Sequence, residues 1–91
     1  MPTIFTFAGI DFRLYFRDSK EHHLPHVHAA YGSDEAVFSL TDFSILAGRL
    51  PPKKQKVAAA WIERNANTLN LMWAEAVEGR PVNHLLADLS E

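Results

Sequence analysis

Two hydrophobic periods divide the chain, a period of two up to about residue 47 and a helical period from residue 52 onward. Thr3–Phe7 is β-branched and aromatic, and Ala8-Gly9 after it supplies a turn. Asp11–Arg17 alternates, with Phe12, Leu14 and Phe16 on one face and Asp11, Arg13, Tyr15 and Arg17 on the other. That is the pattern of a half-buried strand. Asp18–Pro25 reads as a polar loop. A third strand is predicted from His26 to Tyr31, followed by a Gly32-Ser33-Asp34 turn. A fourth runs from Glu35 to Leu40, with Ala36, Phe38 and Leu40 on one face. Thr41–Ser44 is a further turn, and Ile45–Ala47 a short fifth strand closed by Gly48.

The second half is helical. Pro51-Pro52 suits a helix start, where backbone N–H groups have no partner in any case. Val57, Trp61, Ile62, Leu69, Met72, Trp73 and Ala76 then share one helical face, and Gly79 and Pro81 end the run. Both tryptophans therefore read as core. Residues 65–68, Asn-Ala-Asn-Thr, interrupt the strong helix formers. An unbroken helix here would be about 40 Å long, so two helices, about 52–66 and 68–78, are preferred to a single kinked one. The tail Val82–Leu89 should pack back through Leu85, Leu86 and Leu89. Strands first and helices second give an α+β fold: an N-terminal antiparallel sheet of four to five strands against one or two C-terminal helices. The expected organisation is one domain, with a β-rich half (1–49) and a helical half with its tail (50–91).

Composition changes the picture little and charge changes it more. A chain of 91 residues suits one domain with a modest core. Cysteine is absent, which excludes disulfides and thiolate metal sites. No apolar run approaches the ~20 residues of a membrane span, and the first residues lack a basic, apolar leader pattern. A cytoplasmic location is the expectation. Net charge is −2, which does not announce a nucleic-acid binder. Residues 49–56, however, hold Arg49, Lys53, Lys54 and Lys56 and no acid, leaving five basic and eleven acidic residues elsewhere. Such asymmetry marks a candidate anion-facing patch. Three lysines in the first turns of a helix also oppose its dipole, an unfavourable local choice that points to RNA phosphate or an acidic partner. A solubilising helix face is the plainer alternative.

The most distinctive chemistry is the run His22-His23-Leu24-Pro25-His26-Val27-His28. His23, His26 and His28 match in number the three imidazoles of a zinc-type divalent metal site. His26 and His28 share a strand face, and Asp18 and Glu21 stand near as further ligands or orienting groups. Register offers a second role. If Phe12 and Leu14 face the core, Arg13, Tyr15 and Arg17 face out; if Val27 and Ala29 do, His26 and His28 face out with them. Such a face can hold phosphate, stack a base and transfer protons, which suits RNA binding or metal-free RNA cleavage. Candidate catalytic groups are then His26, His28, Arg17 and Tyr31. Tyr31 reads equally as a ring packing its turn. Candidate anion contacts are Arg13, Tyr15, Arg17 and the basic run. A third role is structural, since antiparallel sheets normally carry one solvated polar face. There is no glycine-rich phosphate loop, nucleophile elbow or zinc-finger spacing.

These residues resemble a known family. Pro2-Thr3-Ile4, Gly9-Ile10, Tyr15-Phe16-Arg17-Asp18, His23-x-Pro25-His26-x-His28, Tyr31-Gly32 and Glu35-Ala36 are similar to the small bacterial family called domain of unknown function 4160. Gly48-x-Leu50-Pro51, Trp61, Leu69, Trp73 and Gly79-x-Pro81 extend the resemblance over nearly the whole chain. The chain departs at Leu24, where the family pattern usually has proline, and His22 competes with His23 for the first histidine position. The family has no established activity. The resemblance implies a short protein encoded beside another small protein, an arrangement similar to toxin–antitoxin pairs. A small partner protein is thus expected, which also allows a non-catalytic protein-binding module; RNA is the partner expected of the His/Arg/Tyr face, and no membrane is expected. Exposed sheet edges make a homodimer a further expectation.

Overall fold

The computed structural model describes residues 3–15 and 24–91. Five strands form in chain order: β1 (Thr3–Phe7), β2 (Ile10–Arg13), β3 (His26–Tyr31), β4 (Asp34–Ser39) and β5 (Ile45–Arg49). Each pairs antiparallel with the next, so the sheet is a meander with β1 and β5 at its edges. Helices α1 (Pro52–Arg64) and α2 (Ala66–Val77) follow, then a 3-10 turn over Asn83–Asp88. This is the α+β arrangement the sequence predicts, with five strands and two helices. Among the described residues no helix is long and apolar enough to cross a membrane.

Short turns set the register. Ala8-Gly9 joins β1 to β2 and Gly32-Ser33 joins β3 to β4, with Tyr31 opposite Asp34. From that pair, period-two alternation puts Val27, Ala29, Ala36 and Phe38 on one face together with Ile10 and Phe12. All six are buried, as is Leu14 just beyond β2. Phe16, predicted for the same face, lies outside the described residues.

Two strand ends differ most from expectation: β2, predicted over Asp11–Arg17, stops at Arg13, with Leu14 and Tyr15 beyond it. Gly48 does not close β5; the strand runs through it to Arg49. Leu46 is bulged out of the β4–β5 ladder, and Gly48 takes a φ of +69°. A side chain there would meet the backbone: an added Cβ would stand 2.1 Å from the Glu35 carbonyl oxygen. Glycine is what lets β4 and β5 remain paired at this point.

Trp61 sits at the centre of the core, fully buried, its ring stacked 4.0 Å from Phe12 and 5.1 Å from Phe5. Ala58, Ile62, Leu69 and Met72 complete the helical side. The helices break at Asn65, one to two residues earlier than predicted. Its backbone (φ −104°, ψ 14°) leaves the helical region, and its side chain explains why. The carboxamide donates to Trp61 O and Ser90 O and accepts from the Ser90 amide, at 2.9, 2.9 and 3.0 Å. The C-terminal tail is thereby tied to the break, and Leu85 and Leu89 are buried as the apolar pattern predicts. An unbroken helix of about 40 Å would also exceed the molecule's longest extent, 34 Å.

Candidate functional site

The face of the sheet opposite Phe12 carries the histidines. Arg13 stands directly across from His28, and His28 across from Val37. Tyr15 follows β2 on the same side, and its ring meets His28 edge-on at 4.7 Å. The His26 and His28 rings are 5.3 Å apart. Of the sequence-predicted face, Arg13, Tyr15, His26 and His28 are therefore brought together. Arg17 and His23, with Asp18, Glu21 and His22, lie outside the described residues.

The face is not the solvated one that alternation suggests. His26 is fully buried and His28 is 9% exposed, and Val37 and Ser39 beside them are buried too. Part of the cause is α2, whose Trp73 ring lies 4.7 Å from that of His26. His26 Nδ1 donates to the Leu24 carbonyl at 2.9 Å, which fixes the ring; in a neutral imidazole Nε2 is then the acceptor nitrogen. Ser39, paired with His26 across the ladder, receives the Thr41 amide on its hydroxyl at 3.0 Å. Buried imidazoles are uncommon unless held by partners, and this pair is held by rings and a carbonyl.

Among the described residues, two acids stand beside these groups. Glu35 reaches diagonally from β4, its carboxylate 3.7 Å from His28 Nδ1 and half-exposed. Asp11 lies 3.6 Å from the Arg13 guanidinium and accepts from Thr6 Oγ1 at 2.8 Å. The sequence places Glu35 in the family resemblance but not among the candidate site residues. The signal was nonetheless present: a two-residue turn after Tyr31 puts Ala30 opposite Glu35, and His28 is then its diagonal neighbour. The Trp73–His26 contact had no such signal, because it joins a helix to a strand far away in sequence.

Tyr31 is elsewhere. It lies on the core side at the far end of β3, its ring packed at the Gly9 backbone and 4.9 Å beneath Lys54 Nζ. Lys54 also donates to the Ala8 carbonyl at 2.7 Å, so this lysine ties α1 to the β1–β2 turn. Arg49, Lys53 and Lys56 are exposed at the end of β5 and the start of α1, and Arg49 is the cross-strand partner of Glu35. Arg49 and Lys56 line an open groove of about 810 Å³ between β5 and α1. Among the described residues, no three His, Asp or Glu side chains stand together in a way that could hold a metal ion. The triad read from the sequence includes His23 and so extends beyond them.

The fold and this face define a class: a five-stranded meander backed by two helices, with a buried histidine pair flanked by Arg, Tyr and Glu. The chain belongs to the family described as Domain of unknown function (DUF4160), whose model matches residues 9–74. That span takes in the histidine face, the groove and most of α2. No curated protein and no solved structure matches the chain.

Proposed function

We propose that this protein binds and acts on RNA through the Arg13–Tyr15–His28–Glu35 face, as one component of a toxin–antitoxin-type pair. The observation that carries the reading is the convergence of Arg13, Tyr15 and Glu35 around the one mostly buried imidazole of His28. Their roles follow from their chemistry. Arg13, a third exposed, supplies the guanidinium that pairs with a phosphodiester oxygen, exchanging Asp11 for it. Tyr15 offers a ring edge and hydroxyl to a nucleotide. His28 is the proton carrier, and Glu35 orients it from the Nδ1 side, much as carboxylates orient catalytic imidazoles in other hydrolytic sites. The 3.7 Å separation is looser than a hydrogen bond, which is common before substrate binds.

The test is expression from a tightly repressed promoter in a bacterial host, with purified protein assayed on single-stranded RNA. Growth arrest and RNA cleavage are expected. His28→Asn should lower cleavage by about 100-fold or more while leaving binding nearly intact, and Arg13→Gln should weaken binding instead. Neither residue belongs to the Trp61 core, so circular dichroism of both variants should match the parent. Arrest that survives both substitutions, or no RNA bound at all, refutes the reading.

One observation favours a second reading. His26 donates from Nδ1 to a backbone carbonyl, the arrangement that aims Nε2 of many metal-binding histidines. On this reading His23, His26 and His28 hold a divalent ion such as zinc. One equivalent of metal in untagged protein, lost on His28→Ala, would support it.

A further inference from the structure

The groove between β5 and α1 is not used by the histidine face and shares no residue with it. Its floor is apolar, made by Phe38, Phe43, Ile45 and Ala59. Its open side carries Arg49 and Lys56; among the described residues Asp34 is the one acid of the lining, with Glu35 across the ladder from Arg49. Lys53 is exposed nearby at the start of α1. No acid occupies the first turn of that helix, so its N-terminal dipole adds to the positive field. Lys54 is spent on Ala8 and Tyr31; Arg49, Lys53 and Lys56 have no such internal use among the described residues.

The rim is built rather than loose. Phe43 holds a φ of +64°, which a bulky side chain adopts only when its surroundings impose it. They do so here. The Phe43 amide donates to Ser39 O at 3.0 Å, Ser39 Oγ takes the Thr41 amide, and the Ser44 hydroxyl donates to the Asp42 carboxylate at 2.7 Å. That bond, with one from the Ser44 amide, holds the Asp42 carboxyl below its ordinary range. The loop thus holds the Phe43 ring in the apolar floor.

We infer that this groove docks an acidic, apolar-bearing segment of a partner protein, with carboxylates against Arg49 and Lys56 and apolar side chains on Phe43, Ile45 and Ala59. Charge complementarity selects the partner: the cationic side of the groove attracts an acidic segment, whereas two copies meeting through this same groove would bring their cationic sides together. The apolar floor favours a peptide over RNA, whose phosphates gain nothing from it. Among the described residues no strand lies beyond β5. The Leu46 bulge and left-handed Gly48 interrupt that edge, so recognition rests on side chains in the groove and not on a continuous backbone ladder.

The experiment uses the full chain, isotopically labelled, and three probes: a short peptide alternating glutamate and leucine, its lysine counterpart, and an oligouridylate. The acidic peptide should bind and shift the amides of Ile45, Arg49, Lys56 and Ala59 while leaving those of Arg13 and His28 in place. The double variant Arg49→Glu, Lys56→Glu changes exposed side chains only. It should weaken the acidic peptide by about tenfold or more and create binding of the lysine peptide. Ala59→Arg, which blocks the floor, should weaken both. Equal binding of the two peptides, insensitivity to charge reversal, RNA occupying these residues, self-association through them, or no binding of the acidic peptide each overturns the inference. RNA binding at Arg13 and His28 can succeed or fail independently, so the two proposals are separated.

Discussion

A single carbonyl oxygen decides what can stand at position 48. The Glu35 oxygen would lie 2.1 Å from a Cβ there, and the backbone is left-handed as well. Gly79 offers a control, because it has a similar φ of +76° but nothing within 4 Å of an added Cβ. Gly79→Ala should therefore cost only the left-handed strain, about 1 kcal/mol. Gly48→Ala must also push β4 and β5 apart and should cost about 3 kcal/mol or more. Urea denaturation of the two variants measures the difference; equal losses would mean that the close approach does not matter. Position 48 also shows a limit of reading sequence locally. A glycine after a short apolar run looks like a stop, and the neighbour that makes it a strand residue stands thirteen positions earlier, at Glu35. The histidine face divides the same way. The Arg13, Tyr15, His26 and His28 grouping follows from period-two alternation and was legible. Its burial was not, because the Trp73 ring comes from an element whose packing no strand pattern specifies.

Among elements, the junctions hold more information than the bodies. The strands and helices fall within a few residues of where periodicity puts them, since β-branched alternation and a helical apolar stripe are local signals. The α1–α2 break depends on Asn65, which bridges Trp61 and Ser90. Asn65→Ala should destabilise by about 2–3 kcal/mol, three hydrogen bonds at roughly 1 kcal/mol each. Asn65→Asp should do at least as much harm, because a carboxylate would face the Trp61 and Ser90 carbonyls with no proton to donate. Thermal melts of the two variants order them. The end of α2 supplies a pH test. The Arg80 amide bonds Glu75 O at 2.8 Å and the Gly79 amide bonds Ala76 O at 3.0 Å, closing the helix. The Arg80 side chain then grips the Glu75 carboxylate at 2.7 and 3.2 Å. That hydrogen bond holds the Glu75 carboxyl below its ordinary value. A lowered folded value means the unfolded chain takes up the proton first, so this contribution is whole above the ordinary carboxyl range and fades as pH falls through the lowered one. The stability gap between the parent and Arg80→Gln should be constant near neutrality and close in acid. A gap that persists at low pH would assign the loss to packing.

At the scale of the molecule, the tail closes a core that the family-matched residues leave open. The family model ends at residue 74, while Leu85 and Leu89 are only 5% and 7% exposed beside the helices. The tail also fills the hydrogen bonds of Asn65, and Arg64 reaches the Glu91 carbonyl. The groove, lined from residue 34 to residue 59, belongs to this scale too, which is why no motif announced it. Each buried leucine contributes about 1.5–3 kcal/mol, and an unsatisfied buried carboxamide costs about 1–3 kcal/mol more. Together these rival the whole net stability expected of so small a protein, roughly 5–14 kcal/mol. Removing residues 83–91 should therefore lower the melting temperature by about 15 °C or more. The double variant Leu85→Ala, Leu89→Ala, which keeps the Asn65 bonds, should fall between the parent and the truncation. A truncated chain that melts within a few degrees of the parent would show that the sheet and two helices hold themselves. The histidine face could then be studied without the tail. The larger loss would make the tail a structural part of the fold that positions it, since α2 carries the Trp73 ring packed on His26.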